Sequence, residues 1–177
     1  ASGSTITKTT TAGEFKTGNS ATKFTIAAGN NVYLGGGSGA FSALPNSEYV
    51  TVLIDFMLTA GTVSGSGAFV RWNNTAGGYW DAYIKFADLV PNILLNNWNR
   101  VTVVCKRPDG FEGTFRDITI YPMGGYSALG SVTAKTIIYD QVDAWPSTQA
   151  EVDATNLPLY VQSRGINLTT NGTGLLG

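Results

Sequence analysis

Aromatic and polar residues alternate in the middle of the chain, and both types are suited to binding sugars. Trp72 and Tyr79 stand on either side of residues 73–78, and Asp81 and Tyr83 follow at alternate positions. An aromatic ring offers a flat apolar face to the C–H face of a pyranose ring, while charged side chains hydrogen-bond the hydroxyl groups. The candidate sugar-binding residues are Asp55, Arg71, Trp72, Tyr79, Asp81, Tyr83 and Lys85.

The same pattern is open to a simpler interpretation. The solvated side of an antiparallel sheet also carries polar residues at every second position. Trp72 and Tyr79 also fit a cap over one end of a sandwich. Trp80 alternates in phase with apolar neighbours and Trp98 opens an apolar strand, so we predict that these two rings belong to the core.

Carboxylates on different strands raise the question of catalysis. Asp55 could face Asp81 or Asp117 across strands, as the two carboxyl groups of glycosidases face each other. No further motif supports a hydrolase, so we predict that the protein is not an enzyme. Calcium is another use for an aspartate near a strand end, because this ion prefers the oxygen ligands that aspartate, asparagine and backbone carbonyl groups provide. Asp117, Asp140 and Asp143 are the candidates for a structural calcium site, although the chain has no DxDxDG spacing.

The composition excludes several classes of function. The 177 residues include no histidine, which removes histidine-based triads, imidazole bases and histidine metal sites. The net charge of −1 provides no basic excess to neutralise nucleic-acid phosphates. No apolar run reaches the ~18 to 20 residues that span a bilayer. Cys105 is the only cysteine, and its inward place in an alternating strand predicts a small core residue.

Strand-like alternation runs through much of the chain. Residues 48–59 carry apolar side chains at every second position. The stretch from Trp98 to Pro122 predicts two strands joined by a turn at Pro108-Asp109-Gly110, with Pro122 ending the second strand. The outward residues of this stretch that remain as possible contacts are Arg100, Asp117 and Tyr121. Further strands are predicted at 23–28, 31–34, 67–72, 80–86 and 135–142.

These strands and their Gly-rich turns predict an all-β fold, an antiparallel β-sandwich of about eight to ten strands and of the jelly-roll type. Residues 1–13 are small and polar and predict an extended N-terminal arm. The sandwich is assigned to residues 14–145. Residues 146–177 lose the alternation and predict a connector to a further module, with a short helical turn at Thr148 to Asp153.

Two segments carry a family resemblance. The order of a long alternating strand, a strand led by Trp98 and a closing strand from Asp117 to Tyr121 resembles the jelly-roll carbohydrate-binding modules. The ending SRGINLTTNGTGLLG, which starts at Ser163, resembles the junction sequences that introduce a new module in bacteriophage tail fibre and tail spike proteins.

The resemblance implies a receptor-binding module of a phage tail fibre, located in the virion tail, whose partner is a host cell-surface polysaccharide. Such fibres are commonly homotrimers, so sister subunits are implied as further partners. Two alternatives remain open at this point. One is a structural spacer or trimerisation module without glycan affinity, and the other is a glycan-cleaving tail spike domain.

Overall fold

A computed structural model describes residues 3–34, 44–90 and 92–154 with their side chains, and the backbone of residues 159–162 and 165–168. In chain order the strands are β1 (Thr5–Thr9), β2 (Ala21–Ile26), β3 (Val32–Tyr33), β4 (Tyr49–Ala60), β5 (Gly67–Asn74), β6 (Tyr79–Lys85), β7 (Trp98–Lys106), β8 (Phe115–Gly125), β9 (Lys135–Pro146), β10 (Leu159–Gln162) and β11 (Gly165–Leu168). The helical elements are α1 (Phe86–Leu89), a 3-10 turn (Ser127–Leu129) and α2 (Gln149–Asp153). Within the described residues, no helix is long and apolar enough to cross a membrane.

Two antiparallel sheets form a sandwich. The five-stranded sheet has the order β1-β2-β9-β4-β7, and the four-stranded sheet has the order β3-β8-β5-β6. A separate two-stranded hairpin joins β10 and β11. The predicted all-β, jelly-roll sandwich is confirmed.

The core lies between the two sheets and follows the predicted period of two. On β4, the residues from Val50 to Leu58 that occupy even positions are at most 3% exposed. Phe56 stacks on Phe86 with ring centroids 4.1 Å apart. Cys105 is fully buried among these residues, and burial raises the pKa of its thiol far above the ordinary value. Its burial confirms the prediction that Cys105 is a core residue. A thiol that stays protonated is also a poor nucleophile.

The stretch from Trp98 to Pro122 divides between the two sheets. β7 pairs with β4 in one sheet and β8 pairs with β5 in the other, so the residues between them cross from sheet to sheet. The prediction that Pro122 ends its strand is wrong, because β8 continues to Gly125. Proline removes only its own N–H from the ladder. Pro122 stays opposite Ala68, and Met123 pairs with Gly67 in the same register.

A bulge in β9 sets which of its residues face the core. Val142 pairs with Ile54 and Tyr139 pairs with Phe56, so Asp140 and Gln141 lie opposite the single residue Asp55. The inward set therefore changes from odd to even positions along the strand, since Ile137 and Tyr139 are buried in the core and Val142 and Ala144 pack against it.

Both terminal segments contact the sandwich. β1, in the predicted arm, pairs with β2 at the edge of the five-stranded sheet. The predicted helical turn after β9 is confirmed as α2, which starts with a capping box between Thr148 and Glu151. Glu151 also accepts hydrogen bonds from Trp145 (2.8 Å) and Thr51 (3.2 Å), which hold α2 on the sheet. The domain boundaries at residues 13 and 145 stay predictions.

Candidate functional site

The outer face of the four-stranded sheet carries three rows of side chains that cross β8, β5 and β6. Backbone pairing aligns each row, because residues of one face recur at every second position of a strand. The rows are Tyr121–Phe69–Tyr83, Thr119–Arg71–Asp81 and Asp117–Asn73–Tyr79. Tyr33 of β3 and Tyr126, which follows β8, add two rings at the same end as the first row. We call the side chains of Tyr33, Phe69, Arg71, Tyr79, Asp81, Tyr83, Tyr121 and Tyr126 the platform.

Phe69 is the centre of the aromatic part of the platform. The residue is only 4% exposed, and its ring lies 4.6 Å from the ring of Tyr121, 6.0 Å from that of Tyr83 and 6.1 Å from that of Tyr126, measured between centroids. Tyr33 lies 6.4 Å from both Tyr121 and Tyr126 and is 47% exposed. Phe69 therefore supports a set of tyrosines that reach the solvent, and their mutual packing restricts their rotamers.

An ion pair stands beside the aromatic rings. Arg71 donates from Nε and Nη2 to the two carboxylate oxygens of Asp81, at 2.7 Å and 2.8 Å. The guanidinium carbon lies 3.8 Å from the ring centroid of Tyr79 and 4.8 Å from that of Phe69. Burial is the largest single influence and acts to lower the pKa of Arg71, but the hydrogen bonds to Asp81 and the electrostatic attraction of Asp81 and the neighbouring tyrosines together raise this pKa. Arg71 is thus a fixed, charged group whose orientation is set from two sides.

Polar contacts hold the far end of the platform in place. Asn73 donates to a carboxylate oxygen of Asp117 at 2.5 Å, and Arg116 donates to the other oxygen at 2.9 Å. Asn74 accepts from the backbone N–H groups of Ala76 and Gly78 through its side-chain oxygen, which closes the β5–β6 loop. The position of Tyr79 directly after this loop is therefore well determined.

Four of the predicted sugar-binding residues meet on this face: Arg71, Tyr79, Asp81 and Tyr83. Lys85 alternates onto the same side at the end of β6, opposite Gly67. The prediction for Trp72 is wrong, because its ring is fully buried between the sheets and its Nε1 donates to the carbonyl of Ser47 at 2.9 Å. Its alternation with Arg71, which faces outward, places Trp72 on the inner side.

The other tryptophans lie outside the fully buried core. Trp80 and Trp98 were predicted to be core residues, yet both are partly exposed. Trp80 packs on Phe111 at a centroid distance of 4.6 Å. Trp98 packs against a small apolar cluster on the outer face of the five-stranded sheet, which includes Met57. Large indole rings often remain partly wet.

The prediction for Asp55 as a ligand-binding residue is also wrong. Asp55 alternates with the core residues Ile54 and Phe56, so it lies on the outer face of the five-stranded sheet, whereas the platform lies on the other sheet. Its carboxylate is fully buried there by the chain itself. Arg100 donates to its two oxygens at 2.9 Å and 2.7 Å, and Lys16 donates at 3.1 Å. The pairing of Asp55 with Asp81 or Asp117 in a catalytic site is excluded by the same placement.

The ion pair at Asp55 should stabilise the fold above acidic pH. Burial acts to raise the pKa of Asp55, but hydrogen bonds from Arg100 and Lys16 lower it overall. A lowered folded-state pKa adds stability above the unfolded value of about 3.9, and this stability is lost as pH falls. We expect Arg100→Met, which leaves a buried carboxylate with Lys16 alone, to cost about 2–3 kcal/mol at neutral pH. Asp55→Asn should cost less, because the two cations it releases are partly exposed.

Urea unfolding of both variants at about pH 7 and about pH 3 checks this order. The difference in the free energy of unfolding between Arg100→Met and wild type should be smaller at the lower pH. An equal loss at both pH values would contradict the assignment.

The predicted calcium ligands do not converge. Asp117 is bound by Asn73 and Arg116 on the platform side, whereas Asp140 accepts from the backbone N–H groups of Lys16 and Thr17 at 2.7 Å and 2.5 Å. The carboxylate of Asp143 accepts from Gln141. The described part of the chain holds no group of three or more acidic, cysteine or histidine residues that could bind a metal. A structural calcium ion stays a prediction.

Sequence reasoning missed three members of the platform and named a fourth only as a possible contact. Phe69 has a signal, since it shares the outward phase of Arg71 on the same strand. Tyr121 was identified as an outward residue of its strand. Tyr33 and Tyr126 have no local signal, because the pairing of β3 with β8 is what brings their segments together.

Comparison with known proteins identifies solved structures with a similar fold but assigns the chain to no family. No protein-family model matches the chain, and no curated protein matches it in sequence. The endo-1,4-β-D-xylanase 10B of Clostridium thermocellum, with its CBM22-1 and GH10 modules and bound xylohexaose, matches with a TM-score of 0.52 at 12% identity, over 83% of this chain and 26% of that one.

Two further solved structures lie just below that level of similarity. The CBM22-1 xylan-binding domain of Paenibacillus barcinonensis Xyn10C gives a TM-score of 0.49 at 12% identity, over 82% of each chain. The enzymatically active domain of tailspike protein 4 from bacteriophage CBA120 gives 0.47 at 10% identity, over 80% of this chain and 18% of that one. The structural neighbours thus include β-sandwich carbohydrate-binding modules and one phage tailspike. At this identity they show a shared fold, and function has to be argued from the platform.

Proposed function

We propose that the platform binds a polysaccharide and leaves it chemically unchanged. The observation that carries this proposal is the set of five tyrosines gathered on one sheet face around a buried phenylalanine and a fixed Arg–Asp pair. A tyrosine combines a flat apolar ring with a hydroxyl group, so one side chain can stack on a sugar and also hydrogen-bond it. Polar groups placed at fixed positions between such rings provide orientation and specificity.

The packing of the platform favours binding further. Phe69 and its neighbours hold the rings before any ligand arrives, so the association should lose little side-chain entropy. The exposed rings of Tyr33 and Tyr79, at 47% and 44%, offer apolar area to be buried by a ligand.

The carboxylates on this face support a role without catalysis. Both oxygens of Asp81 accept hydrogen bonds from Arg71, and both oxygens of Asp117 accept hydrogen bonds from Asn73 or Arg116. A general acid or a nucleophile needs a carboxyl group that is free to meet the glycosidic bond. The chain as a whole contains no histidine to take either role.

We further propose that the polysaccharide is a host cell-surface glycan and that the module belongs to a bacteriophage tail fibre, located in the virion tail. The support for this step is the ending from Ser163, which resembles the junctions between tail fibre modules. Of that ending, which comprises residues 163–177, the structure describes only the backbone of residues 165–168. Sister subunits of a homotrimer are the proposed protein partners.

Substitutions on the platform should weaken glycan binding without unfolding the protein. We expect Tyr83→Ala and Tyr121→Ala each to weaken binding about tenfold or more, because each removes a stacking ring from the centre of the face. Tyr49→Ala is the matched control, since Tyr49 lies on β4 of the opposite sheet and is also partly exposed.

A glycan array identifies the ligand, and calorimetric titration measures the affinity of each variant. Unchanged affinity in Tyr83→Ala and Tyr121→Ala, or the lack of any bound glycan, would overturn the proposal. Loss of host adsorption in the same variants tests the tail-fibre role.

One observation favours the alternative of a structural spacer or trimerisation module. Leu94 and Leu95 are adjacent in the loop before β7 and are 68% and 48% exposed. Two neighbouring leucines in water are suited to burial against a sister subunit. Sedimentation that gives a stable trimer, together with no affinity for any glycan, would favour this alternative over the binding module.

A further inference from the structure

We propose that the platform selects neutral glycans and discriminates against acidic ones, with the free edge of Arg71 donating to sugar hydroxyl groups. This inference rests on the proposed function, because it names the chemical class of ligand for the same face. It starts from the charges around the rings.

The charge of Arg71 is already matched. Asp81 is 2% exposed and binds the guanidinium through both of its oxygens. Such a bidentate pair leaves little attraction for a second carboxylate. A negatively charged sugar at Arg71 would also approach the carboxylate of Asp81 and would have to give up its own hydration. The pair therefore opposes an acidic ligand.

Donor groups of Arg71 nevertheless remain available. The two bonds to Asp81 use Nε and Nη2, and among the described residues no hydrogen bond engages Nη1. The side chain keeps 22% of its surface exposed. Asp81 and the ring of Tyr79 fix the plane of the guanidinium, so Nη1 is held in place beside the rings. A fixed neutralised donor fits the hydroxyl oxygens of a sugar.

The remainder of the face has little positive charge to offer an anion. Five of the platform residues are tyrosines, which are uncharged at neutral pH. Asp117 adds a carboxylate at the far end, where Arg116 pairs with it. Lys85 is the one cation of β6 and stands at its end. A site built for polyanions would instead present several lysine or arginine side chains along the ligand path.

The test measures the affinity of wild type for soluble glucan, mannan and galactan, each next to its derivative with carboxylates in place of primary alcohol groups. We expect at least one neutral polymer to bind and its carboxylated derivative to bind about tenfold or more weakly. Affinity for the neutral polymer should change less than about twofold between about 50 mM and about 500 mM salt, because screening acts on charges.

The outcomes separate the inference from the proposed function. Preference for the carboxylated polymer, with affinity that falls steeply as salt rises, would overturn the inference and leave glycan binding intact. Failure of every polymer in this set and on the glycan array would overturn the proposed function itself.

Asp81→Asn provides a second test. The substitution keeps the shape of the side chain but releases the charge of Arg71, so discrimination against the carboxylated polymer should fall about tenfold or reverse and become salt-dependent. Asp109→Asn, at an exposed aspartate outside the platform, is the matched control, and it should leave the discrimination of wild type in place. Melting curves test whether both variants are folded. If Asp81→Asn does not fold, the salt series on wild type still decides whether the platform discriminates against acidic glycans. Unchanged discrimination in a folded Asp81→Asn variant would contradict the role of the pair.

Discussion

Replacing Trp72 with alanine is expected to lower the free energy of unfolding by about 4 kcal/mol. The indole is fully buried, and its cross-strand neighbours are Ile118 on one side and Trp80 on the other. Its removal leaves a large cavity between the sheets and leaves the carbonyl of Ser47 without its hydrogen-bond donor. Since domains of this kind are stable by only about 5–15 kcal/mol, the variant should be close to unfolded at elevated temperature.

Urea unfolding followed by circular dichroism measures this loss, and Trp72→Phe is the control. Phenylalanine fills most of the cavity but cannot donate to Ser47, so we expect a loss of about 1–2 kcal/mol and full glycan affinity. The pair of variants separates a core residue from a ligand residue. A stable Trp72→Ala variant that had lost glycan binding would contradict the burial of the ring.

The period of the strands was readable from the sequence because burial acts on every second residue. β4 illustrates this, since all five of its predicted inward residues, from Val50 to Leu58, are buried in the core. The grouping of Arg71, Asp81 and Tyr83 was predictable for the same reason, as these three alternate on strands joined by a short loop. Local pattern and final fold agree at these positions.

The errors arose where contacts between distant segments decide the outcome. Asp55 was predicted to face a ligand, but Lys16, 39 residues earlier, covers it together with Arg100. Tyr33 and Tyr126 reach the platform through strand pairing that no local pattern specifies. A period of two also leaves open which face of a strand is covered by the other sheet. Trp72 was predicted to be exposed because it lies at the mouth of a loop, but its side chain is on the covered face.

Between about pH 8 and about pH 10, a buried lysine is expected to contribute stability that grows as the pH rises. Lys135 is 4% exposed and faces the core from the first position of β9. Its ammonium group donates to the carbonyl of Ser64 and, at 3.1 Å, to the hydroxyl of Ser66. Neither partner is charged, so nothing offsets the cost of burying the cation. Burial lowers the pKa of Lys135 from 10.5 to about 8.

The sign of the effect follows from proton binding. Between about pH 8 and about pH 10 the unfolded chain keeps the proton on this lysine while the folded protein releases it. The contribution of Lys135 to stability therefore rises by about 2 kcal/mol across this window. Two other buried groups act in the opposite direction, because burial raises the pKa of the Cys105 thiol and of the Tyr139 phenol. Their contributions to stability fall once the unfolded thiol ionises, above about pH 8.5, and once the unfolded phenol ionises, above about pH 10.

Comparison of wild type with Lys135→Met isolates the contribution of the lysine, because Cys105 and Tyr139 are present in both proteins. Near pH 7 the two should be of similar stability, since methionine removes a buried charge but leaves the carbonyl of Ser64 without its donor. We expect wild type to gain about 2 kcal/mol over Lys135→Met between about pH 8 and about pH 10, measured by urea unfolding at each pH. Lys8→Met, at an exposed lysine of β1, should follow wild type throughout. Parallel curves for wild type and Lys135→Met would mean that the buried ammonium group is solvated or paired in solution, and that the loop at Ser64 is held by other contacts.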